Sequence, residues 1–135
     1  MIEKFEDLEI GEEDEEDAVA IKVKDKLGLS LEEMKNALKV FLLSNADRMA
    51  EDMMNIAPYG DYGELIEDKA PMSKFLQEDV SKIENWKLNY IKSGKDSNIS
   101  FIFLSSAVDD GDVFRGFVVV SFSGKILHAF CQGDN

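Results

Sequence analysis

The residue types that most often carry out chemistry in proteins are sparse in this chain. His128 and Cys131 are its only histidine and its only cysteine. Three residues apart in a strand, they point to opposite faces of a sheet, which does not allow a thiolate–imidazole pair. One histidine and one cysteine also fall short of the ligand set that a zinc site needs. We therefore expect both residues to have structural or surface roles.

Other motifs with a defined chemistry are missing or incomplete. No stretch matches the glycine-rich phosphate-binding patterns GxxxxGK[ST] or GxGxxG. Asp109-Asp110-Gly111-Asp112 has the composition of a calcium loop, but it lacks the spacing and terminal Glu of an EF-hand and is typical of a turn. A pair of carboxylates for hydrolysis stays open, because no single pair stands out among so many acids. The sequence therefore predicts no catalytic residue, no metal site and no cofactor, and favours a non-catalytic function.

Charge is the most unusual property of the sequence. The 135 residues include 28 acidic and 15 basic side chains, which give a net charge of −13. Direct binding to nucleic acid or to an anionic membrane requires clustered Lys and Arg, so the composition argues against both. The charge suits a basic protein as the partner, and it is equally typical of a protein that is merely soluble.

The acid excess is concentrated at the N-terminus. Residues 1–17 hold ten carboxylates against Lys4 alone, and residues 12–17 are six carboxylates in a row. Mutual repulsion disfavours compact structure there, so we predict a mobile acidic arm over 1–17 and a single domain over 18–135. Three apolar side chains ahead of the run leave room for a short anchored segment: Phe5, Leu8 and Ile10.

The best candidate binding surface lies between Pro58 and Pro71. It combines two aromatic rings with four carboxylates on a short segment, and residues 44–79 around it carry nine acids against three bases. Tyrosine gives a large contact area at low entropic cost, and carboxylates steer a basic partner. The alternative is that the tyrosines only anchor a loop onto the core. The predicted partner-binding residues are Tyr59, Asp61, Tyr62, Glu64, Glu67 and Asp68.

Helices are predicted in the first half of the chain. Residues 18–27 fit either a helix or a strand, and the glycine directly after them favours a short helix. Ser30 and Glu33 form a capping box, and an apolar stripe predicts a helix from there to about residue 56. Ser44-Asn45 indicates a kink or a break within it.

After a further predicted helix over 73–84, the periodicity changes to that of strands. Strands are expected from Trp86 onward and over 98–108, 112–123 and 125–131, separated by short turns. Such short connections indicate an antiparallel meander. The predicted fold class is therefore α+β, with N-terminal helices packed on a C-terminal four-stranded antiparallel meander in a single domain.

The middle of this sheet is apolar on both faces. Helices can cover only one face, so the other must meet the acidic arm, another chain such as a second copy in a homodimer, or a pocket formed by sheet curvature. Gly116 inside the third strand indicates a bulge or a bend. In that strand Phe114, Val118, Val120 and Phe122 share one face, and Phe117 and Val119 share the other.

Three functions fit these features. The favoured one is an acidic inhibitor of a basic partner, such as an intracellular immunity protein against a bacterial nuclease toxin. The first alternative is a small ligand-binding domain or enzyme with an apolar pocket, since helices followed by a meander resemble the cystatin/NTF2-like arrangement in element order alone. The second alternative is a chaperone or assembly adaptor that uses the apolar sheet face.

The sequence also bears on location. Its start is acidic from the third residue, whereas a signal peptide needs a basic start and an uninterrupted apolar stretch. The most apolar windows, 99–108 and 113–122, are about half the length that a membrane-spanning helix requires. We therefore expect a cytoplasmic protein.

Overall fold

The fold combines helices with one sheet in a simple order. A computed structural model describes residues 2–11, 13–56, 70–105 and 113–134. The strands follow one another in the sheet in chain order, and every neighbouring pair is antiparallel. The predicted α+β fold, with helices before a four-stranded antiparallel meander, is confirmed. The elements are a 3-10 turn (Phe5–Leu8), α1 (Glu16–Leu27), α2 (Leu31–Ile56), α3 (Ala70–Phe75), a π-helical turn (Leu76–Val80), a 3-10 turn (Ile83–Asn85), β1 (Trp86–Ser93), β2 (Asn98–Ser105), β3 (Val113–Ser121) and β4 (Ile126–Asp134).

Local signals predict the end of α1 and both bounds of α2, whereas α1 begins at Glu16, two residues before the predicted segment 18–27. α1 is a helix rather than a strand, and it ends at Gly28, whose φ of 70° suits a residue without a Cβ. Ser30 caps α2, with its Oγ accepting a hydrogen bond from the Glu33 amide at 3.0 Å. The predicted break at Ser44-Asn45 is wrong: α2 continues through it, and Asn45 Nδ2 donates to the Phe41 carbonyl at 2.9 Å. None of the helices in the described ranges has the length and apolar character to cross a membrane.

The inner face of the sheet, the face toward the helices, forms the core. α2 packs on β3 and β4. As the alternation predicts, Phe101 and Phe103 of β2 and Val118 of β3 are fully buried there. Burying each such side chain stabilises the fold by about 1.5–3 kcal/mol, before the entropy of ordering the chain is counted. Because the helices cover the inner face, only the opposite face of the sheet is left for other contacts.

Gly116 does not mark the bulge or bend that its type suggests. It pairs in register with Phe103 on one side and Cys131 on the other. A Cβ at Gly116 would lie 2.5 Å from Cδ1 of Leu38 and 3.1 Å from Cζ3 of Trp86. The glycine is required because α2 and Trp86 approach the sheet too closely for a side chain.

The irregularities of the sheet lie elsewhere. The β1–β2 register shifts between Leu88 and Tyr90, and the β3–β4 register shifts between Val119 and Val120. Leu88 and Ile91 pack against the core, whereas Tyr90 is 41% exposed and pairs with Ile102 on the opposite face. The first bulge therefore breaks the alternation read from Trp86 onward and turns Tyr90 outward.

The outer face of the sheet, the face away from the helices, is apolar at its centre. Register places Tyr90, Ile102, Phe117 and Phe130 side by side across all four strands, and we call these four residues the outer strip. Phe117 and Phe130 stack with ring centroids 4.8 Å apart. Ile102 is fully buried, yet it is the one buried apolar residue of the described ranges outside the core cluster. The prediction of a sheet with two apolar faces is therefore confirmed.

The N-terminal segment 2–11 packs on the inner side. Ile2 and Leu8 are 5% and 1% exposed and belong to the core, and the Ile2 amide donates to the Phe122 carbonyl at 3.2 Å. The expected boundary between residues 17 and 18 falls within α1. The anchored segment expected ahead of the acidic run is thus present in the fold, whereas mobility of residues 12–17 stays a prediction.

Two glycines have a left-handed backbone conformation, and replacing them with alanine should destabilise the fold by different amounts. Gly28 has open space around it, whereas a Cβ at Gly124 (φ 86°) would lie 1.9 Å from the Leu27 carbonyl oxygen at the end of α1. Gly28→Ala should cost about 1–2 kcal/mol, the strain of a left-handed L-residue. Gly124→Ala should cost clearly more, because a backbone oxygen cannot move aside. Urea unfolding of both variants measures the difference, and equal losses would contradict this packing of the β3–β4 turn on α1.

The packing of the N-terminal segment predicts that its apolar residues support the domain. Leu8→Ala should lower the free energy of unfolding by about 2–5 kcal/mol, the range for a buried leucine. Ile21→Ala is the matched control, because Ile21 is 71% exposed on α1 and its truncation should change stability little. Thermal and urea unfolding give both values. A loss for Leu8→Ala no larger than that for Ile21→Ala would show that the segment does not belong to the core.

Candidate functional site

The loop predicted as a partner-binding surface lies outside the described residues. Its flanking elements are described: a hydrogen-bond network joins α2 to the α3 region. Ser73 Oγ donates to Asp47 Oδ1 at 2.6 Å, and Gln77 Nε2 donates to Ser73 Oγ at 3.0 Å. This network holds together the two helical segments that the loop connects. Six residues therefore remain predicted contacts, namely Tyr59, Asp61, Tyr62, Glu64, Glu67 and Asp68.

The histidine and the cysteine are placed as their spacing predicts. Cys131 is buried on the inner face with its Sγ 4.0 Å from the Leu38 carbonyl oxygen, and burial raises the pKa of its thiol to about 12. His128 is exposed on the outer face, its ring 5.1 Å from that of Phe130. A neutral buried thiol is a poor nucleophile, and the sheet separates it from the imidazole. Within the described ranges, no three His, Cys, Asp or Glu residues come together as a metal site.

The structure forms a groove that sequence reasoning missed. It lies between the N-terminal segment, the start of α1 and the edge strand β1, and its volume is about 580 Å³. One wall comes from Phe5, Ile10 and Gly11, continued by Asp14, Glu16 and Val19, and the other comes from residues 88–91. We call this the β1 groove.

The first wall of the β1 groove is built from local hydrogen bonds. The Asp7 carboxylate accepts from the amides of Glu3 and Lys4 at 3.0 and 3.1 Å, which closes the 3-10 turn that carries Phe5. These two hydrogen bonds lower the pKa of Asp7. Leu8 then anchors the turn in the core, so Phe5 and Ile10 are held half-buried beside β1.

Asp14 and Lys22 shape the next part of this wall. Lys22 Nζ donates to Asp14 Oδ2 at 2.9 Å and to the Glu9 carbonyl at 2.6 Å. Asp14 Oδ2 also accepts from the Gly11 amide at 2.9 Å. The hydrogen bond from Lys22, followed by that from Gly11, lowers the pKa of Asp14. A lysine on α1 thus holds the acidic segment in a defined turn.

Glu16 links α1 to two other elements. Its Oε1 accepts from Lys35 Nζ of α2 at 2.6 Å, and its Oε2 accepts from the Leu88 amide of β1 at 3.4 Å. Leu88 belongs to an edge strand, so its outward amide would otherwise lack a partner. The carboxylate therefore takes a position that a neighbouring strand would occupy. The contact joins residues 72 positions apart, and no local pattern in the sequence signals it.

The β1 groove combines an apolar interior with an acidic rim. Phe5, Ile10 and Val19 contribute apolar surface inside it. Beside the lining residues along the chain, four carboxylates are exposed: Glu9, Glu13, Glu15 and Asp17. Beyond Leu88, β1 continues past its bulge along the groove, and its outer edge has no strand partner in the described chain. This arrangement can accept an extended peptide with apolar and basic side chains, through strand addition at the edge.

The Asp14–Lys22 contact predicts a pH-dependent contribution to stability. Because the folded-state pKa of Asp14 lies below its ordinary value of 3.8, its stabilising effect is present above pH 3.8 and is lost as pH falls through the folded-state pKa. Asp14→Asn should therefore lower the thermal midpoint at pH 7, and its difference from the wild type should shrink toward pH 2.5. The control Glu13→Gln, at an exposed neighbouring position, should change little at either pH. A difference for Asp14→Asn that is independent of pH would contradict the role of the charge.

Comparison with known proteins supplies no assignment for this arrangement. Any function must therefore be argued from the groove, the charge distribution and the two sheet faces. The chain matches no protein-family model, no curated protein and no solved structure.

Proposed function

We propose that this protein is a non-catalytic acidic binding module that inhibits a basic protein partner, and that the β1 groove takes up an extended segment of that partner. An intracellular immunity protein that neutralises a nuclease toxin in the cytoplasm is the biological role that best fits this activity. The observation that carries the proposal is the groove itself: a cleft with apolar side chains, rimmed by exposed carboxylates, beside a strand edge that has no strand partner among the described residues.

The charge distribution supports a basic partner. Ile2 and Leu8 tie the N-terminal segment to the core, and Lys22 and Lys35 bond the carboxylates of Asp14 and Glu16 beside the groove. The exposed rim carboxylates are neighbours of these residues along the chain. Fixed charges of one sign around a cleft raise the association rate of an oppositely charged partner.

Inhibition requires only that the acidic surface cover the cations with which the partner binds its substrate. A protein that acts on nucleic acid uses clustered Lys and Arg to bind phosphates. Covering such a cluster with an acidic surface removes its cations from the substrate and adds repulsion toward the phosphates. No chemistry is required of the inhibitor, which is consistent with a buried neutral thiol at Cys131 and an isolated His128.

The loop with Tyr59 and Tyr62 is proposed as a second contact with the same partner. Its carboxylates, Asp61 and Glu64 among them, add to the acidic surface, and its rings supply contact area. Charge acts over about a Debye length, roughly 8–10 Å at physiological salt, whereas ring burial needs direct contact. The acids should therefore raise the association rate constant, and burial of the tyrosine rings should lower the dissociation rate constant.

A second candidate is a small-ligand site in the same groove. A volume of about 580 Å³ falls within the range of small-molecule pockets, roughly 300–1,000 Å³. The pocket expected between helices and a curved sheet is less favoured, because Leu38 and Trp86 fill the space against Gly116. A ligand would bind at the edge of β1 instead, and its affinity would not depend on the exposed rim acids.

The proposal predicts that rim charge controls the association rate. The partner is first isolated from the native source by affinity, with a low-salt wash followed by a high-salt wash. The triple variant Glu13→Gln, Glu15→Gln, Asp17→Asn should associate more slowly and with a flatter salt dependence in stopped-flow measurements. The double variant Asp61→Asn, Glu64→Gln separates the contribution of the loop from that of the rim.

A matched pair of bulky substitutions tests occupancy of the β1 groove. Gly11→Trp adds a ring inside the groove, where the nearest atoms to a Cβ are 3.9 Å away, and it should weaken binding more than tenfold. Val40→Trp adds a ring on α2, where Val40 is 63% exposed, and it should leave affinity unchanged. Salt-independent association together with unchanged affinity for Gly11→Trp would overturn the proposal. Loss of a small ligand on Gly11→Trp, with no effect of the rim variant, would favour the second candidate.

A further inference from the structure

We propose that the outer face of the sheet docks an amphipathic helix of a partner protein, with its apolar side on the outer strip and carboxylates along both flanks. This site shares Tyr90 with the β1 groove but lies on the other side of β1 and takes a partner of the opposite charge. The strip runs across all four strands, from Tyr90 through Ile102 and Phe117 to Phe130. Tyr90 is 41% exposed, and the stacked rings of Phe117 and Phe130 are half-buried.

The rows on either side of the strip carry the basic groups of this face. The register places Lys92, Ser100, Val119 and His128 in one row, and Lys87, Leu104, Arg115 and Gln132 in the other. Every charged side chain described in these rows is basic, although the whole chain has a net charge of −13. Lys87 and Lys92 are exposed, and neither forms an ion pair within the described part of the chain. An apolar strip between cations calls for an apolar partner surface between anions.

The dimensions of the strip match a helix. Three inter-strand spacings of about 4.8 Å make the strip roughly 15 Å long, which is about ten helical residues at 1.5 Å each. Rows two residues apart along a strand are separated by about 7 Å, so a helix about 10 Å wide on the strip has its flanks over the basic rows. The same sheet already packs α2 on its inner face, and layers of helix on sheet are a common solution for a two-sided apolar sheet.

A second copy of this chain fits the outer face less well. Four strands of eight or nine residues span about 15 by 25 Å, well below the roughly 800 Å² per partner of a standard interface. A two-fold contact would also bring the basic rows of both copies together. Nucleic acid is disfavoured because bases stack on free aromatic faces, whereas Phe117 and Phe130 stack on each other.

The test uses the full-length protein and a capped 14-residue helical peptide as the probe. The peptide carries Leu at i, i+3, i+4, i+7 and i+8, with Glu on both sides of this stripe and Ala elsewhere. We expect saturable binding in fluorescence anisotropy and amide chemical-shift changes confined to the outer face. The double variant Lys87→Glu, Lys92→Glu should weaken binding at least tenfold. Lys39→Glu, a reversal at an exposed position of α2, should change it less than twofold.

Controls on probe chemistry separate the alternatives. A peptide with Lys in place of each Glu should bind the outer face at least tenfold more weakly, as measured by the shifts of the outer-face amides, and Tyr90→Ala should weaken binding of the acidic peptide without unfolding the protein. Four results would each overturn the proposal: no binding at millimolar peptide, equal affinity of both peptides for the outer face, shifts by the acidic peptide centred on the β1 groove, or tighter binding of oligo(dT). A dimer of the wild type that Lys87→Glu, Lys92→Glu dissociates in sedimentation would assign this face to a second copy instead.

Discussion

The position of helix α2 on the sheet depends on the contact between Leu38 and the bare Cα of Gly116. Leu38 is fully buried, and Trp86 of the edge strand closes on the same glycine. The Cys131 thiol fills the neighbouring position, against the Leu38 carbonyl oxygen. Because close-packed interiors tolerate little extra volume, this contact holds one face of the sheet against the helices. The opposite face, with Tyr90 and Phe117, is left for other contacts.

The distribution of charge follows from the same division. Beside β1, on the helix side, Lys22 and Lys35 bond Asp14 and Glu16, whereas four neighbouring carboxylates are exposed: Glu9, Glu13, Glu15 and Asp17. The cations of β1, Lys87 and Lys92, point to the outer face. Although the net charge is −13, the protein therefore has two surfaces of opposite charge, the acidic rim of the β1 groove and the basic rows of the outer face. The proposed functions differ accordingly, since the groove suits a basic segment and the outer face suits an acidic helix.

Both proposed surfaces are binding surfaces. Because side chains alternate between the two faces of a strand, His128 and Cys131 lie on opposite faces of the sheet. Burial keeps the Cys131 thiol protonated. Tyr90 belongs to β1, which lines the groove and also carries one end of the outer strip. The bulge in β1 turns this ring outward, so one irregularity shapes the outer surface beside the groove. Bulges commonly re-aim side chains at functional positions in this way.

Sequence alone determined the features that depend on neighbours along the chain. The Ser30 cap, the end of α1 at Gly28, the short connections from β1 to β2 and from β3 to β4, and the two-sided apolar character of β2 and β3 all follow from local spacing, and the fold class follows from them. Tertiary structure alone decided the rest. The Glu16 carboxylate accepts a hydrogen bond from the Leu88 amide, 72 positions away in the sequence. Position 116 requires glycine because Leu38 packs against it, and not because the strand has a bulge there. A local pattern carries no information about which distant side chain fills a given space, because close packing is set by the folded chain as a whole.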